Sequence, residues 1–260
     1  MRTTAWLFLG LLLMVGAAQA AEVFGTVDAV SGTASLTDGN GASAPVATGI
    51  KVHVGQSIVT GTDGEVHIVT ADSGLIALRP NSSFRVDRYQ AKGEATDETV
   101  FSLLRGALRS ITGWIAKRNP SSYQLNVINT TIGIRGTDHE TAIIEAPEGS
   151  AQPGVYDAVY EGATVMKNAL GSTEVHVGES AFSARDARQA PGLLAHRPEF
   201  MERRALRIEQ RIQQRRENLR AEIHNRMRIR NDARDGKPDA AERRERARHL
   251  HDRRIQRRQQ

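Results

Sequence analysis

Residues 65–69, Glu65-Val66-His67-Ile68-Val69, alternate polar and apolar side chains, and residues 84–87, Phe84-Arg85-Val86-Asp87, do the same. A period of two residues is typical of a β-strand with one buried face. Turn-forming residues separate such segments, among them Asp72-Ser73-Gly74 and Arg79-Pro80-Asn81-Ser82. Many short strands joined by turns predict a mainly β body, either a compact sandwich or a short solenoid-like stack, with no helix between residues 21 and 195.

A short repeat stands near each end of this region. Residues 52–58, Val-His-Val-Gly-Gln-Ser-Ile, return as residues 175–181, Val-His-Val-Gly-Glu-Ser-Ala. A regular solenoid needs three or more repeats, so the two copies leave open whether they pair within one β body. His53 and His176 stand between two valines in the two copies, which predicts that both imidazoles face solvent.

The charge of the chain is divided between two regions. Residues 21–195 contain 13 Lys and Arg against 19 Asp and Glu, a net charge of −6. Residues 196–260 contain 21 Lys and Arg against 11 Asp and Glu, a net charge of +10. The sequence therefore predicts an acidic β domain over residues 21–195 and a basic tail over residues 196–260.

The N-terminus has the pattern of a secretory signal peptide over residues 1–20. Arg2 precedes an uncharged, mostly apolar run from Ala5 to Ala18, and Ala18-Gln19-Ala20 fits a cleavage site. The run is shorter than the roughly 20 residues that a membrane-spanning helix needs. We expect cleavage, no transmembrane segment afterwards, and a periplasmic or secreted location.

Several short motifs in the centre of the chain point to one family. They are Leu78-Arg79-Pro80-Asn81-Ser82, Leu104-Arg105-Gly106-Ala107-Leu108-Arg109, Lys117-Arg118-Asn119-Pro120, Ile132-Gly133-Ile134-Arg135-Gly136-Thr137 and Val177-Gly178-Glu179. With these motifs the chain resembles the FecR domain family over roughly residues 23 to 182.

The resemblance implies a role in the bacterial envelope. The namesakes of the family regulate iron transport: a cytoplasmic N-terminal segment handles a sigma factor, a membrane helix follows, and a β-rich extracytoplasmic part senses an outer-membrane receptor. This sequence shows neither that segment nor a retained helix, so it is similar to the stand-alone secreted members. We expect a non-catalytic binding or scaffold protein that contacts an envelope protein partner in signalling or assembly.

The Arg135-Gly136-Thr137-Asp138 block is a candidate binding site with two interpretations. Gly136 permits a positive φ, and Arg135 offers a planar fork of donors. Thr137 and Asp138 can accept hydrogen bonds from nearby backbone N–H groups. The block is either an internal latch, in which Arg135 pairs with a carboxylate or carbonyls, or a recognition loop for an acidic group or a partner strand.

Trp114 and Arg109 belong to a second candidate binding segment, which also holds Lys117, Arg118 and Tyr123. Aromatic and basic side chains together can stack on a sugar or a nucleobase. The alternative is that Trp114 is a core anchor on a strand, surrounded by solvated charges.

The sequence carries no recognisable catalytic or metal motif. The absence of cysteine excludes disulfides, a cysteine nucleophile and cysteine zinc sites. His139 lies between Asp138 and Glu140, yet no further ligand follows at a metal-site spacing, and His249 and His251 stand in an Arg-rich tail. We therefore expect no enzyme activity, no cofactor and no metal.

The basic tail is predicted to be helical, from about residue 198 to 231 and again from about 239 to 257, where the second helix has few apolar residues. Apolar residues recur in the first helix at mostly three- and four-residue steps, which predicts one narrow apolar stripe. The stripe consists of Met201, Ala205, Ile208, Ile212, Leu219, Ile223 and Met227.

The stripe and the arginines of the tail suggest different partners. The stripe fits a helix hairpin, self-association with a second copy, or docking on the β body. The arginines fit an anionic polymer such as lipopolysaccharide, wall polymer or nucleic acid, with salt-dependent affinity. The candidate contacts for such a polymer are Arg203, Arg204, Arg211, Arg215 and Arg216.

Overall fold

The computed structural model describes most of the β domain and the start of the tail. The described residues are 21–39, 41–134, 136–147, 149–186 and 188–203, with the single positions 213, 217, 218, 221, 224, 225 and 228. The predicted signal peptide over residues 1–20 lies outside this set and stays a prediction. Within the described residues, the structure has no helix that is long and apolar enough to cross a membrane.

The described residues form two sheets of nine strands each. Sheet A has, in spatial order, β18 (Gly192–Leu193), β17 (Ser180–Ala184), β14 (Gly154–Glu161), β13 (Asp138–Ile144), β10 (Ala107–Ile111), β7 (Leu75–Leu78), β6 (Glu65–Thr70), β1 (Val23–Ser31) and β4 (Lys51–His53). Sheet B has β16 (Gly171–His176), β15 (Ala163–Asn168), β12 (Thr130–Ile134), β11 (Tyr123–Val127), β9 (Glu98–Arg105), β8 (Ser83–Gln90), β5 (Ser57–Thr60), β2 (Ala34–Thr37) and β3 (Ser43–Pro45). The mainly β prediction is confirmed.

The chain builds both sheets together. It passes repeatedly from one sheet to the other, so that both grow from an N-terminal edge to a C-terminal edge. The main core lies between the sheets and receives alternate residues of the strands. Phe24, Phe84, Phe101 and Tyr123 form part of it, with the rings of Phe101 and Tyr123 edge to face at 5.2 Å. The body is thus a sandwich in which the strands advance as they do in a solenoid.

Two helical segments interrupt the strands between residues 21 and 195, where none was predicted. Helix α1 spans Trp114–Arg118, and a 3₁₀ turn spans Pro120–Ser122. They link β10 of sheet A to β11 of sheet B. The prediction was wrong because one turn of helix is too short to show a period of 3.6 residues.

The sequence repeat encodes the same turn twice. The backbone N–H of His53 donates to Oε1 of Gln56 at 2.8 Å, and that of His176 donates to Oε2 of Glu179 at 2.8 Å. A glycine with positive φ stands in each turn, since Gly55 and Gly178 both have φ of 85°. His176 is exposed as predicted. His53 is half-buried, and its Nδ1 lies 2.8 Å from the carbonyl oxygen of Ala21, within hydrogen-bonding distance. The copies stand towards opposite edges of the sandwich and do not pair with each other.

The basic tail begins with helix α2, Glu199–Arg203. The rest of the predicted first helix lies outside the described residues apart from the seven single positions. The whole second helix lies outside them. The helical extension of the tail therefore stays a prediction.

Gly106 makes the sharp bend by which the chain leaves β9 in sheet B for β10 in sheet A. Its φ is 81°, and a Cβ there would lie 2.6 Å from Cα of Ser82 and 2.7 Å from the carbonyl oxygen of Asn81. We expect Gly106→Ala to lower the free energy of unfolding by about 2–3 kcal/mol, because both backbone strain and overlap would be introduced. Chemical denaturation measures the change.

Gly133→Ala is the matched control for Gly106→Ala. Gly133 lies in β12 with open space around its Cα, so alanine there should leave stability unchanged or raise it slightly. Equal destabilisation by the two substitutions would contradict the role given to Gly106.

Candidate interaction site

Charged side chains are buried on the outer face of sheet A, the face turned away from sheet B. Leu78 of β7 and Leu108 of β10 point into the main core. Because side chains alternate along a strand, Arg79 and Arg109 point to the opposite face. We call Arg79, Arg109, Asp138, Glu140, Tyr160 and Arg197 the charged cluster.

The first ion pair of the cluster joins Arg79 to Glu140. Nη2 of Arg79 donates to Oε2 of Glu140 at 2.6 Å, and the hydroxyl of Tyr160 donates to the same oxygen at 3.2 Å. Glu140 is fully buried and Arg79 is 6% exposed. Since Arg79 follows β7 and Glu140 lies in β13, the contact reaches across β10, which stands between these strands.

The second ion pair joins Arg109 to Asp138 in a bidentate arrangement. Nε of Arg109 donates to Oδ1 of Asp138 at 2.8 Å, and Nη2 donates to Oδ2 at 3.0 Å. The guanidinium carbon of Arg109 lies 4.4 Å from the ring centroid of Tyr160, and that of Arg197 lies 4.5 Å from the same centroid. Tyr160 therefore holds two cation–π contacts and links both ion pairs.

Burial changes the acidity of Tyr160 and raises its pKa to about 12. Removal of the phenol from water is the largest cause, and the nearby Glu140 carboxylate acts in the same direction. The guanidinium groups of Arg197 and Arg109 act against both. The phenol therefore keeps its proton at neutral pH, and its hydroxyl donates a hydrogen bond to Glu140.

The cluster constrains four strands at once. A buried ion is costly unless its partner and its hydrogen bonds remain in place, and removing one partner costs about 3–5 kcal/mol. Strands β7, β10, β13 and β14 must therefore keep their register for both pairs to form. The arrangement suits a rigid surface held by electrostatics rather than a site of proton transfer, since each carboxylate already binds an arginine.

We expect Glu140→Gln to lower the free energy of unfolding by about 3–5 kcal/mol, because it removes the charge that compensates buried Arg79. Glu98→Gln is the matched control, since Glu98 pairs with Arg88 on the surface with the two side chains 37% and 59% exposed. The control should cost about 1 kcal/mol or less. Similar losses in chemical denaturation would show that the cluster is not a special constraint.

Of the Arg135-Gly136-Thr137-Asp138 block, Asp138 belongs to the charged cluster, and Gly136 and Thr137 directly precede it in the chain. Gly136 has φ of 64°, and Thr137 exchanges hydrogen bonds with Thr112 through its N–H at 2.9 Å and its carbonyl at 3.0 Å. The carboxylate of Asp138 accepts two hydrogen bonds from Arg109. Arg135 lies outside the described residues. The binding role of the block stays a prediction.

Trp114 lies in helix α1 rather than on a strand. It is half-buried against the main core, and the guanidinium carbon of Arg118 lies 5.6 Å from its ring centroid. Its Nε1 is buried without a hydrogen-bond partner among the described residues. Trp114 packs against the main core from α1, whereas Arg109 lies on the outer face of sheet A. The binding role of both residues stays a prediction.

His139 lies between the sheets and takes part in a polar bridge. Its Nδ1 lies 2.9 Å from Oδ1 of Asp157, and the hydroxyl of Thr164 on β15 donates to Oδ2 of Asp157 at 2.6 Å. Asp157 thereby ties sheet A to sheet B. The part of the chain that the structure describes holds no group of three His, Asp or Glu that could bind a metal.

Three exposed apolar side chains stand at one end of sheet B, and we call Leu104, Ile128 and Leu170 the end patch. They are 50%, 49% and 57% exposed. Leu104 lies in β9 and Ile128 follows β11, and these strands are parallel and paired, so both residues lie at the same end. The turns after β11 and β15 are neighbours because β12 and β15 are antiparallel partners. The three side chains thus share one end of sheet B, which makes this end a candidate for a protein contact.

Ile128 adds a strained backbone to the end patch. Its φ is 52°, in the left-handed region that a β-branched residue rarely adopts. Such a conformation costs about 1–3 kcal/mol and often marks a functional position.

Arg79, Glu140, Tyr160, Arg197 and the end patch were not predicted as site residues from the sequence. A charged residue in an otherwise apolar run is the signal that was available, as in Leu75-Ile76-Ala77-Leu78-Arg79. The partner of each charge comes from a strand distant in sequence, so the pairing itself could not be predicted.

Of the predicted tail contacts, Arg203 is the last residue of α2, and Arg204, Arg211, Arg215 and Arg216 lie outside the described residues.

Comparison with known proteins identifies one family. The model of the FecR protein family matches residues 56–163, a range that holds every member of the charged cluster except Arg197. Two crystal structures of a proposed anti-sigma factor from Parabacteroides distasonis align with TM-scores of 0.43 each, at 8% and 9% identity. Each alignment covers 56% of this chain and 62% of the other, so the chain spans less than two thirds of those proteins. No curated protein matches the sequence.

Proposed function

Because residues 56–163 of this chain form a FecR domain, we propose that the protein is a non-catalytic regulatory protein that acts outside the cytoplasm by contact with an envelope protein. The end patch is the observation that carries the proposal of contact. The predicted signal peptide supports the extracytoplasmic location, and the family supports a part in envelope signalling.

The end patch has the features of a recognition surface. Its three side chains are apolar, each is about half exposed, and they stand on three adjacent strand ends and turns of one rigid sheet. Ile128 is an apolar β-branched residue at a positive φ, a conformation that asparagine or glycine would adopt with less strain. The partner must therefore offer a complementary apolar surface.

The charged cluster contributes stiffness rather than contact. The carboxylates of Glu140 and Asp138 are buried and paired with Arg79 and Arg109, so these four groups are not available to an incoming ligand. Sheet A, in which the charged cluster lies, packs on sheet B through the main core and is joined to it by the hydrogen bond between Thr164 and Asp157. The charged cluster thus stabilises the fold, whereas the end patch of sheet B contacts the partner.

Photo-crosslinking in the producing bacterium tests the contact. A benzoylphenylalanine in place of Leu170 should give one discrete protein adduct, and Ile128→Asp in the same chain should remove at least about nine tenths of it. Aspartate tolerates a positive φ better than isoleucine, so the second change should not unfold the domain.

Val177 is the matched control position for photo-crosslinking. It is 60% exposed, and it lies in the turn after β16, at the end of that strand opposite to Leu170. The probe there should give no adduct. An adduct of equal yield at both positions, or none at Leu170, would contradict recognition through the end patch.

Binding of an anionic polymer through the tail is the alternative function, and the net charge of +10 over residues 196–260 favours it. In that case Arg211→Gln, Arg215→Gln and Arg216→Gln together should lower the salt concentration that elutes the full chain from heparin. Arg85→Gln and Arg88→Gln on the β domain are the control. Elution at unchanged salt would exclude these arginines as the polymer contacts.

A further inference from the structure

We propose that a groove on the outer face of sheet B, the face turned away from sheet A, binds a sugar that carries a carboxylate. The groove crosses β11, β12 and β15 beside the 3₁₀ turn Pro120–Ser122. It shares no residue with the end patch, and the inference goes beyond the proposed function.

Gly133 of β12 opens the groove. Its neighbours Ile132 and Ile134 lie in the main core, so position 133 faces outwards. A Cβ at this position would meet no atom of the described residues within 4 Å. The gap belongs to a cavity of about 480 Å³, a volume within the usual range for sites that bind small molecules.

The backbone at Gly133 does not require glycine. The residue lies within an extended strand and pairs with Val165 of β15, and its φ is outside the left-handed region. A glycine in the interior of a strand weakens the strand, because it has more conformational freedom to lose and no side chain to pack. Such a glycine often marks a place where a ligand approaches the backbone closely. Open space above the sheet is therefore the property that glycine supplies here.

Polar side chains from four elements line the groove. Gln124 of β11, Thr131 of β12 and Lys167 of β15 point outwards, because their neighbours along each strand lie in the main core. Ser121 of the 3₁₀ turn lines the groove as well. Hydroxyl and amide groups both donate and accept hydrogen bonds, and this matches the hydroxyl groups of a sugar.

The floor of the groove suits the C–H face of a sugar ring. Val165 points outwards beside Gly133 and is half-buried, and Pro120 contributes a second apolar side chain to the lining. Lined by both apolar and polar groups, the groove has the composition of a small-molecule site, in which a few polar groups fix the orientation of the ligand.

Lys167 gives the groove its preference for an acid. It is exposed, and it is the only charged side chain among the described residues that line the groove. Glu174 of β16, which pairs with Val165 on the far side of β15, is not part of the lining. An ammonium group forms a charge-assisted hydrogen bond with a carboxylate, roughly twice as strong as a neutral one.

A sugar fits this face better than a peptide does. The backbone groups of β11, β12 and β15 already pair with one another in antiparallel ladders. A peptide that lay on this face could not form the main-chain hydrogen bonds that it forms at a sheet edge. Its own N–H and C=O groups would then be buried without backbone partners, which is unfavourable.

NMR titration of the isotopically labelled full chain tests the proposal. The probes are N-acetylmuramic acid and glucuronic acid, with N-acetylglucosamine and glucose as the neutral counterparts that lack the carboxylate. At least one acid should shift the amide signals of Gly133 and Val165. Its neutral counterpart should bind about tenfold more weakly, because the charge-assisted bond to Lys167 is missing. The acid that binds more tightly distinguishes a wall glycan from a uronate polymer as the source of the sugar.

Two variants separate binding from folding. Gly133→Val fills the gap with a residue that favours strands, so the domain should stay folded while affinity for the acid falls about tenfold or more. Lys167→Gln should lower the affinity for the acid to that of its neutral counterpart. Lys51→Gln is the matched control, since Lys51 is exposed on β4 of sheet A, and it should leave binding unchanged.

Each outcome bears on the proposal. Binding of an acid that both variants weaken, with unchanged stability in chemical denaturation, supports it. Equal binding of acids and neutral counterparts overturns it, and so does the absence of any shift. Triglutamate that shifts the same amides at lower concentration than either acid would show a site for an acidic peptide and would also overturn it. If circular dichroism shows that Gly133→Val disturbs the fold, Thr131→Val takes its place and the same outcomes apply.

Discussion

Two buried arginine–carboxylate pairs on the outer face of sheet A are the constraint on which the described structure depends most. Arg79 with Glu140 and Arg109 with Asp138 bring together strands that are distant in sequence. Because a buried charge without its partner is strongly unfavourable, a slip of any of these strands by one residue would turn a charge into the apolar core. Apolar packing alone would tolerate more arrangements, so the pairs add specificity to the order of the strands.

The presence of many strands could be predicted from the sequence, whereas their order in the two sheets could not. Alternation such as that of residues 65–69 predicts strands because its period is local. The assignment of β6 and β8 to different sheets depends on contacts between distant residues. Helix α1 is one turn long, too short for a period to appear. The repeat predicted two similar turns and could not predict that they stand towards opposite edges.

The candidate site shows the same limit. Arg109 and Asp138 were singled out separately, and the structure joins them because β10 and β13 are neighbours. Arg79 and Glu140 meet across an intervening strand, which no local pattern reveals. Leu104, Ile128 and Leu170 are far apart in the sequence, and they share one end of sheet B only because of how the strands are ordered. The end patch therefore could not be predicted from a local pattern. The match to the FecR protein family covers residues 56–163 and so includes Leu104 and Ile128 of the end patch but not Leu170.

A double-mutant cycle on Arg109 and Asp138 measures whether the buried ion pairs stabilise this arrangement of strands. The cycle uses Arg109→Met, Asp138→Asn and the double variant, with free energies of unfolding from chemical denaturation. We expect a coupling energy above about 2 kcal/mol, because each single variant leaves one charge buried without its partner across β10 and β13. A coupling energy below about 0.5 kcal/mol, as for an exposed pair, would contradict it.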